Sequence, residues 1–69
     1  MKNWQKVFAS HNPIQANLVR DILEGNEIEA ILLDKQDSSY GIFGQLEVYV
    51  NQKKVLSALK VIKDEISFK

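Results

Sequence analysis

Few side chains in this sequence are of the types that catalyse reactions or bind metal ions. The chain has one histidine, His11, and no cysteine, so no thiolate and no second imidazole can complete a metal site. Asp34 and Asp37 are candidates for paired acid–base carboxylates, although aspartates in a polar stretch more often make turns. Arg20, on a helix with Asp21 and Glu24 nearby, is most simply a solvated surface residue or half of a weak ion pair. We predict no catalytic residue, no metal site and no cofactor, and therefore a protein that is not an enzyme.

A polar stretch with two glycines, Lys35 to Gly44, is the strongest candidate for a binding site. Its glycines can adopt positive φ and expose backbone N–H groups, and its serines and aromatic residues can contact a ligand. Adjacent strands need only about 2–5 residues between them, and longer ordered loops tend to be functional. We predict that a ligand or partner is bound by Lys35, Gln36, Asp37, Ser38, Ser39, Tyr40 and Phe43. The alternative is that Ile42 and Phe43 pack onto the core and the polar residues are merely solvated.

A well-signalled helix precedes this stretch. Asn12 can cap it and Pro13 suits its first position, where proline lacks only an N–H that would have no partner. Gly25 and Asn26 tolerate the left-handed turn that ends many helices, so the helix is predicted over Pro13 to Glu24. Its apolar residues recur at helical spacing: Ile14, Leu18 and Ile22, with Val19 and Leu23 beside them.

Three short β-prone runs predict strands, and a second helix follows the last of them. The runs are Trp4 to Ala9, Ile28 to Leu33 and Gln45 to Val50, and strict alternation in the third puts Leu46, Val48 and Val50 on one face. Asn51 can cap the final helix, in which apolar residues again recur at helical spacing: Val55, Leu59, Ile62 and Ile66.

The order of these elements predicts an α+β fold, βαββα, in a single domain over residues 1–69. A helix between the first two strands makes them parallel, while the second and third strands, joined directly, are antiparallel neighbours. This is the ferredoxin-like split βαβ plan without its last strand, with both helices on one face of a three-stranded sheet.

The other face of that sheet is predicted to carry apolar residues as well. If Val7 and Ala9 point at the helices, then Trp4, Phe8 and Tyr49 line the open face, and such a patch usually marks an interface. We predict self-association through these three residues, with a dimer favoured. The unpaired edge of the sheet is a second possible interface between copies. The alternative is that Trp4 and Phe8 face the core and Val7 faces solvent.

The amino-acid composition narrows the classes of partner that the protein can bind. Nine basic and nine acidic residues among 69 leave no net charge, so the broad attraction that drives binding to nucleic acids and anionic membranes is absent. We expect no membrane partner and a cytoplasmic location, because no apolar run is long enough for a signal peptide or a membrane span. A rival hypothesis is that aromatic residues on the open face stack single-stranded nucleic acid, which neutral charge disfavours.

Three stretches resemble a family of small bacterial domains described as prokaryotic signal-transducing proteins. They are Asn12-Pro13-Ile14, the run from Glu29 to Tyr40, and Leu46 to Val50, and the most specific part is Lys-Gln-Asp-Ser-Ser-Tyr at 35–40. The resemblance implies a fold similar to the PII nitrogen-regulatory proteins, in which the loop between strands two and three contacts partners and is covalently modified. In position that loop corresponds to Lys35 through Gly44. The PII nucleotide-binding segment surrounds a final strand that this chain lacks.

Overall fold

The computed structural model describes residues 3–35 and 45–66, which form an α+β fold in the predicted order βαββα. Strand β1 is followed by helix α1, strands β2 and β3, a short 3₁₀ turn and helix α2. Their bounds are β1 Trp4–Ser10, α1 Pro13–Gly25, β2 Ala30–Lys35, β3 Gln45–Asn51, the 3₁₀ turn Gln52–Lys54 and α2 Val55–Glu65. Asn51 accepts a hydrogen bond from the Lys53 N–H at 2.9 Å, so it caps the turn that leads into α2.

The three strands form one sheet in the order β1-β3-β2, and both outer strands run antiparallel to β3. Strands β1 and β2 are therefore parallel to each other, as the crossover predicted, with β3 inserted between them. The direct connection makes β2 and β3 antiparallel neighbours, also as predicted. This interleaving is the arrangement of a split βαβ unit.

One hydrophobic core lies between the sheet and both helices. Helix α1 contributes Ala16, Val19 and Leu23, which are completely buried. The other buried apolar residues are Ile28, Ala30, Val48, Val50, Ala58 and Ile66. Because the two helices share this core and contact each other, both lie on the same face of the sheet, as predicted.

The apolar stripe of α1 is divided between the core and the solvent. Ile22 packs against the core, but Ile14 is 77% exposed and Leu18 is 44% exposed, on the side of the helix opposite Ala16. Small and β-branched residues face the sheet because they let the helix approach it closely. Helical spacing therefore identified the helix, but not its buried face.

Both ends of α1 are built by local hydrogen bonds. The Asn12 side chain accepts from the Ile14 N–H at 2.9 Å, as predicted for the cap. At the other end the helix includes Gly25, and the left-handed residue is Glu27, with φ of 65°. Ile28 N–H donates to the Leu23 carbonyl at 2.9 Å, and Glu27 N–H donates to the Glu24 carbonyl at 3.0 Å. This is a Schellman motif, displaced from the glycine at which it was predicted.

A β-bulge in β1 corrects the predicted faces of that strand. Lys6 pairs with Tyr49 and Phe8 pairs with Val48, so Val7 is the extra residue. Val7 and Phe8 therefore both turn towards the helices, and both pack against the core. The prediction that Phe8 lies on the open face and Ala9 faces the helices is therefore wrong. The alternative is right that Phe8 faces the core, but wrong for Trp4, which lies on the open face, and for Val7. Simple alternation fails here because a bulge shifts the side-chain pattern by one residue.

Candidate functional site

The sheet face away from the helices carries a mixed set of apolar, aromatic and charged residues. Cross-strand partners in an antiparallel sheet point to the same side, so the pairing register determines which residues share this open face. Its central row is formed by Glu47 and Tyr49 of β3. The flanking strands contribute Trp4, Lys6, Ala9, Ile31 and Leu33.

Glu47 is the most unusual residue of the open face, because it is only 8% exposed although both described helices lie on the other side of the sheet. Its register partners are Ala9 on β1 and Leu33 on β2, so apolar side chains flank the carboxylate. A buried carboxylate needs hydrogen bonds or an opposite charge to offset the loss of water.

Two side chains satisfy that requirement. The Tyr49 hydroxyl donates to Glu47 Oε1 at 2.8 Å, and Lys6 Nζ lies 3.4 Å from Glu47 Oε2. We call Lys6, Glu47 and Tyr49 the polar cluster. The three residues come from two strands that the register of β1 and β3 brings side by side, and the carboxylate is held at both of its oxygens.

The polar cluster also alters the titration of the tyrosine. The hydrogen bond to Glu47 raises the pKa of Tyr49 above its ordinary value of 10.0, and burial and the negative charge of Glu47 act in the same direction. The phenol therefore stays protonated and keeps donating to the carboxylate at neutral pH. Lys6 balances the charge of Glu47, so the polar cluster has no net charge.

The strand ends that flank the predicted binding loop in the sequence lie near this cluster. The last pair between β2 and β3 joins Lys35 to Gln45, and the next pair on the same face joins Leu33 to Glu47. Lys35 and Gln45 are therefore one same-face pair away from the buried carboxylate. Of the predicted ligand or partner residues, Lys35 is the last residue of β2, and the others lie outside the described residues: Gln36, Asp37, Ser38, Ser39, Tyr40 and Phe43.

The predicted self-association residues are only partly brought together. Trp4 and Tyr49 lie on adjacent strands of the open face, whereas Phe8 lies on the helix side of β1. Their predicted role in self-association stays a prediction.

Other reactive residues of the described part lie apart from the polar cluster. His11 is exposed in the turn before α1, and Asp34 is exposed near the end of β2. Arg20 Nη2 lies 3.3 Å from Asp21 Oδ1, so Arg20 forms an ion pair, one of the two roles predicted for it. Within residues 3–35 and 45–66, no three carboxylate or imidazole side chains are grouped so that they could hold a metal ion.

Sequence reasoning missed the polar cluster, although its members were visible. Glu47 alternates with the core residues of β3, and its position along the strand alone does not distinguish it from a solvated carboxylate. The cluster could have been predicted from Glu47 and Tyr49, an acidic and a phenolic residue at alternate positions of a strand with apolar neighbours. The lysine was not identifiable, because its position opposite Tyr49 depends on the register of β1.

Neither helix in the described part of the chain is long and apolar enough to cross a membrane.

Comparison with known proteins identifies the family of this chain. No curated protein and no solved structure matches the chain. The profile of a family described as "Putative prokaryotic signal transducing protein" matches residues 4–66, which includes every strand and helix described above. The chain belongs to this prokaryotic signal-transducing family.

Proposed function

We propose that this protein is a non-enzymatic regulatory module that self-associates through its sheet and binds a partner or small ligand at residues 36–44 and the adjoining open face. The observation that carries the proposal is the buried carboxylate of Glu47, one same-face pair away from the strand ends Lys35 and Gln45 that flank that segment in the sequence. Membership of a signal-transducing family supports a regulatory role.

The polar cluster supports binding because it is a preorganised polar group within an apolar surface. Binding sites typically combine apolar walls with a few fixed hydrogen-bonding groups. Glu47 is fixed by Tyr49 and Lys6, and Leu33 and Ala9 supply the apolar surroundings. Removing a carboxylate from water weakens folding unless its partners compensate, so a role in recognition is a reason for it to occupy this position.

The length of the connection supports the same location. Lys35 and Gln45 are paired directly in the sheet, and about 2–5 residues would be enough to join them. Residues 36–44 exceed this length and contain the donors, acceptors and aromatic side chains of the predicted site. The flanking residues Lys35 and Gln45 are paired in the sheet, which suits a connection that presents a recognition sequence.

A capture experiment in the source cell tests this proposal. The wild-type chain, a variant with residues 36–44 replaced by a two-residue Asn-Gly turn, and Glu47→Gln would each be used as bait after chemical crosslinking. The matched control is Leu56→Ser, which changes a side chain that is 84% exposed on α2, on the opposite side of the sheet. We expect a partner captured by wild type and by the control, lost with the turn variant and reduced at least about fivefold with Glu47→Gln, about the effect of one charge-assisted hydrogen bond.

Equal capture by all four proteins would overturn the location of the site. Circular dichroism of each variant separates loss of binding from loss of folding. Turnover of a small molecule by the purified wild-type chain, abolished by Asp37→Ala, would overturn the non-enzymatic assignment.

The rival function is binding of single-stranded nucleic acid on the open face. Trp4 and Tyr49 lie there on adjacent strands, an arrangement on which two bases could stack. Glu47 lies on the same face and is paired with Lys6, so the polar cluster offers no excess positive charge to a phosphate. The electrostatics therefore favour the regulatory proposal.

A further inference from the structure

The two outer strands of the sheet differ in how well they are protected against further pairing. Strand β1 is interrupted by the bulge at Val7, a device that blocks the addition of another strand. Strand β2 pairs with β3 without a shift from Ala30 to Lys35. Within the described part of the chain, β3 is the only strand that pairs with β2, so β2 presents an uninterrupted edge.

The side-chain pattern of β2 is also typical of a strand inside a sheet, with a neighbouring strand along each of its edges. Ala30 and Leu32 face the core, while Ile31 and Leu33 are half-buried on the open face. Strands inside a sheet are typically apolar on both faces, whereas exposed edges usually carry charges or proline. The first charged residue of β2 is Asp34, near its end.

We propose that β2 pairs antiparallel with β2 of a second copy, which joins the two sheets into one of six strands. The proposal rests on the self-association in the proposed function and specifies where it occurs. Pairing about a two-fold axis perpendicular to the sheet places identical backbones opposite each other and keeps both helix layers on one side. Residues that face each other must then have numbers of the same parity, because they share a face.

One register pairs opposite charges as well as backbones. With Leu32 on the two-fold axis, Ile31 lies opposite Leu33 of the second copy, Ala30 lies opposite Asp34, and Lys35 lies opposite Glu29. Glu29 is exposed immediately before β2, so it is available for this pairing. On the open face apolar residues thus meet apolar residues, and a pair of opposite charges forms at each end.

The neighbouring registers lack these charge pairs. With Leu33 on the axis, Lys35 would lie opposite Ile31, so no pair of opposite charges would form within β2. With Ile31 on the axis, Lys35 would lie opposite Glu27, which has left-handed backbone. The register centred on Leu32 is therefore the one that the charges favour.

Charge reversal with rescue tests this register. Light scattering coupled to size exclusion over a dilution series gives the dimer dissociation constant of wild type, Glu29→Lys, Lys35→Glu and the double variant. Each single reversal replaces two opposite-charge pairs by two like-charge pairs and is expected to weaken the dimer about tenfold. The double variant restores both pairs and is expected to return to within about twofold of wild type. The matched control is Glu24→Lys, an exposed charge reversal on α1.

Two outcomes would overturn the proposal: a wild-type chain that stays at 7.9 kDa at every concentration, or single reversals that leave the dissociation constant unchanged. Amide hydrogen exchange is a second measurement that needs no variant. The β2 amides that do not face β3 should be protected at high protein concentration and exchange freely on dilution. The purified chain alone is used here, so a monomer that still captures its partner through residues 36–44 would refute this interface and leave the binding site standing.

Discussion

At the scale of single residues, the polar cluster concentrates the chemistry of the described structure. Glu47 lies on the open face, but its neighbours exclude most of the solvent from its carboxylate, so it differs from an ordinary surface residue. The Tyr49 hydroxyl and the Lys6 ammonium replace that water. The clearest consequence is the titration of Tyr49, because its proton is held by the hydrogen bond to Glu47.

This consequence can be measured in a Tyr40→Phe background, where Tyr49 is the only tyrosine. An absorbance titration at alkaline pH should give a pKa above the ordinary 10.0, and Glu47→Gln should move it back towards 10.0, because both the charge and the strongest acceptor are lost. The Lys53→Gln variant, which changes an exposed charge in the turn before α2, is the control and should leave the value unchanged. A value near 10.0 in the Tyr40→Phe background would contradict the hydrogen bond.

The raised pKa of Tyr49 also links stability to alkaline pH. The folded state holds the phenolic proton more tightly than the unfolded chain, so its contribution is complete below pH 10.0 and is lost as the pH rises through the higher folded value. The free energy of unfolding of wild type should therefore fall faster above pH 10 than that of Tyr49→Phe.

At the scale of elements, the end of α1 shows how a turn is placed by packing. The Schellman motif puts Ile28 and Leu23 into the core together, which requires the left-handed residue to be Glu27. Gly25 is inside the helix, with free space around the position of a Cβ atom. The residue best suited to positive φ thus lies two positions before the site that needs it.

Two substitutions at this helix end should therefore both increase stability. Gly25→Ala removes a helical glycine and is expected to add about 0.5–1 kcal/mol to the free energy of unfolding. Glu27→Gly relieves a left-handed backbone and is expected to add about 1 kcal/mol. Denaturant unfolding measures both.

The control is Asp21→Gly, at an exposed position in the interior of the same helix, which should lower stability by about 1 kcal/mol. If Gly25 were instead the left-handed residue, Gly25→Ala would be destabilising and Glu27→Gly would bring no gain.

At the scale of the whole molecule, the zero net charge and the open face of the sheet together decide which classes of partner the protein can bind. The open face has aromatic residues in a suitable place for stacking bases, yet the chain has no excess of positive charge. Phosphate neutralisation dominates nucleic-acid affinity, so the aromatic surface alone is insufficient.

The fluorescence of Trp4, the only tryptophan, tests this electrostatic argument directly. Titration with oligo(dT) and oligo(U) at low and at physiological salt should give no salt-dependent quenching. Saturable quenching that weakens with salt and disappears in Tyr49→Ala would instead establish the rival function on the open face.

The sequence by itself determined the element order, because each signal for an element is local. The Asn12-Pro13 start of α1 and the alternation of β3 depend on neighbours in the chain, and the crossover rule then makes β1 and β2 parallel. The family resemblance was also readable from short runs of residues, and the match over residues 4–66 confirms it.

Only the tertiary structure decided which residues share a face. The bulge at Val7 turns Phe8 towards the core, and close approach of α1 to the sheet buries Ala16 in place of Ile14. The polar cluster likewise depends on the register that places Lys6 opposite Tyr49, two residues far apart in the chain. Local signals carry no register information across strands, because a shift of one residue preserves the composition of a strand and reverses every side chain in it.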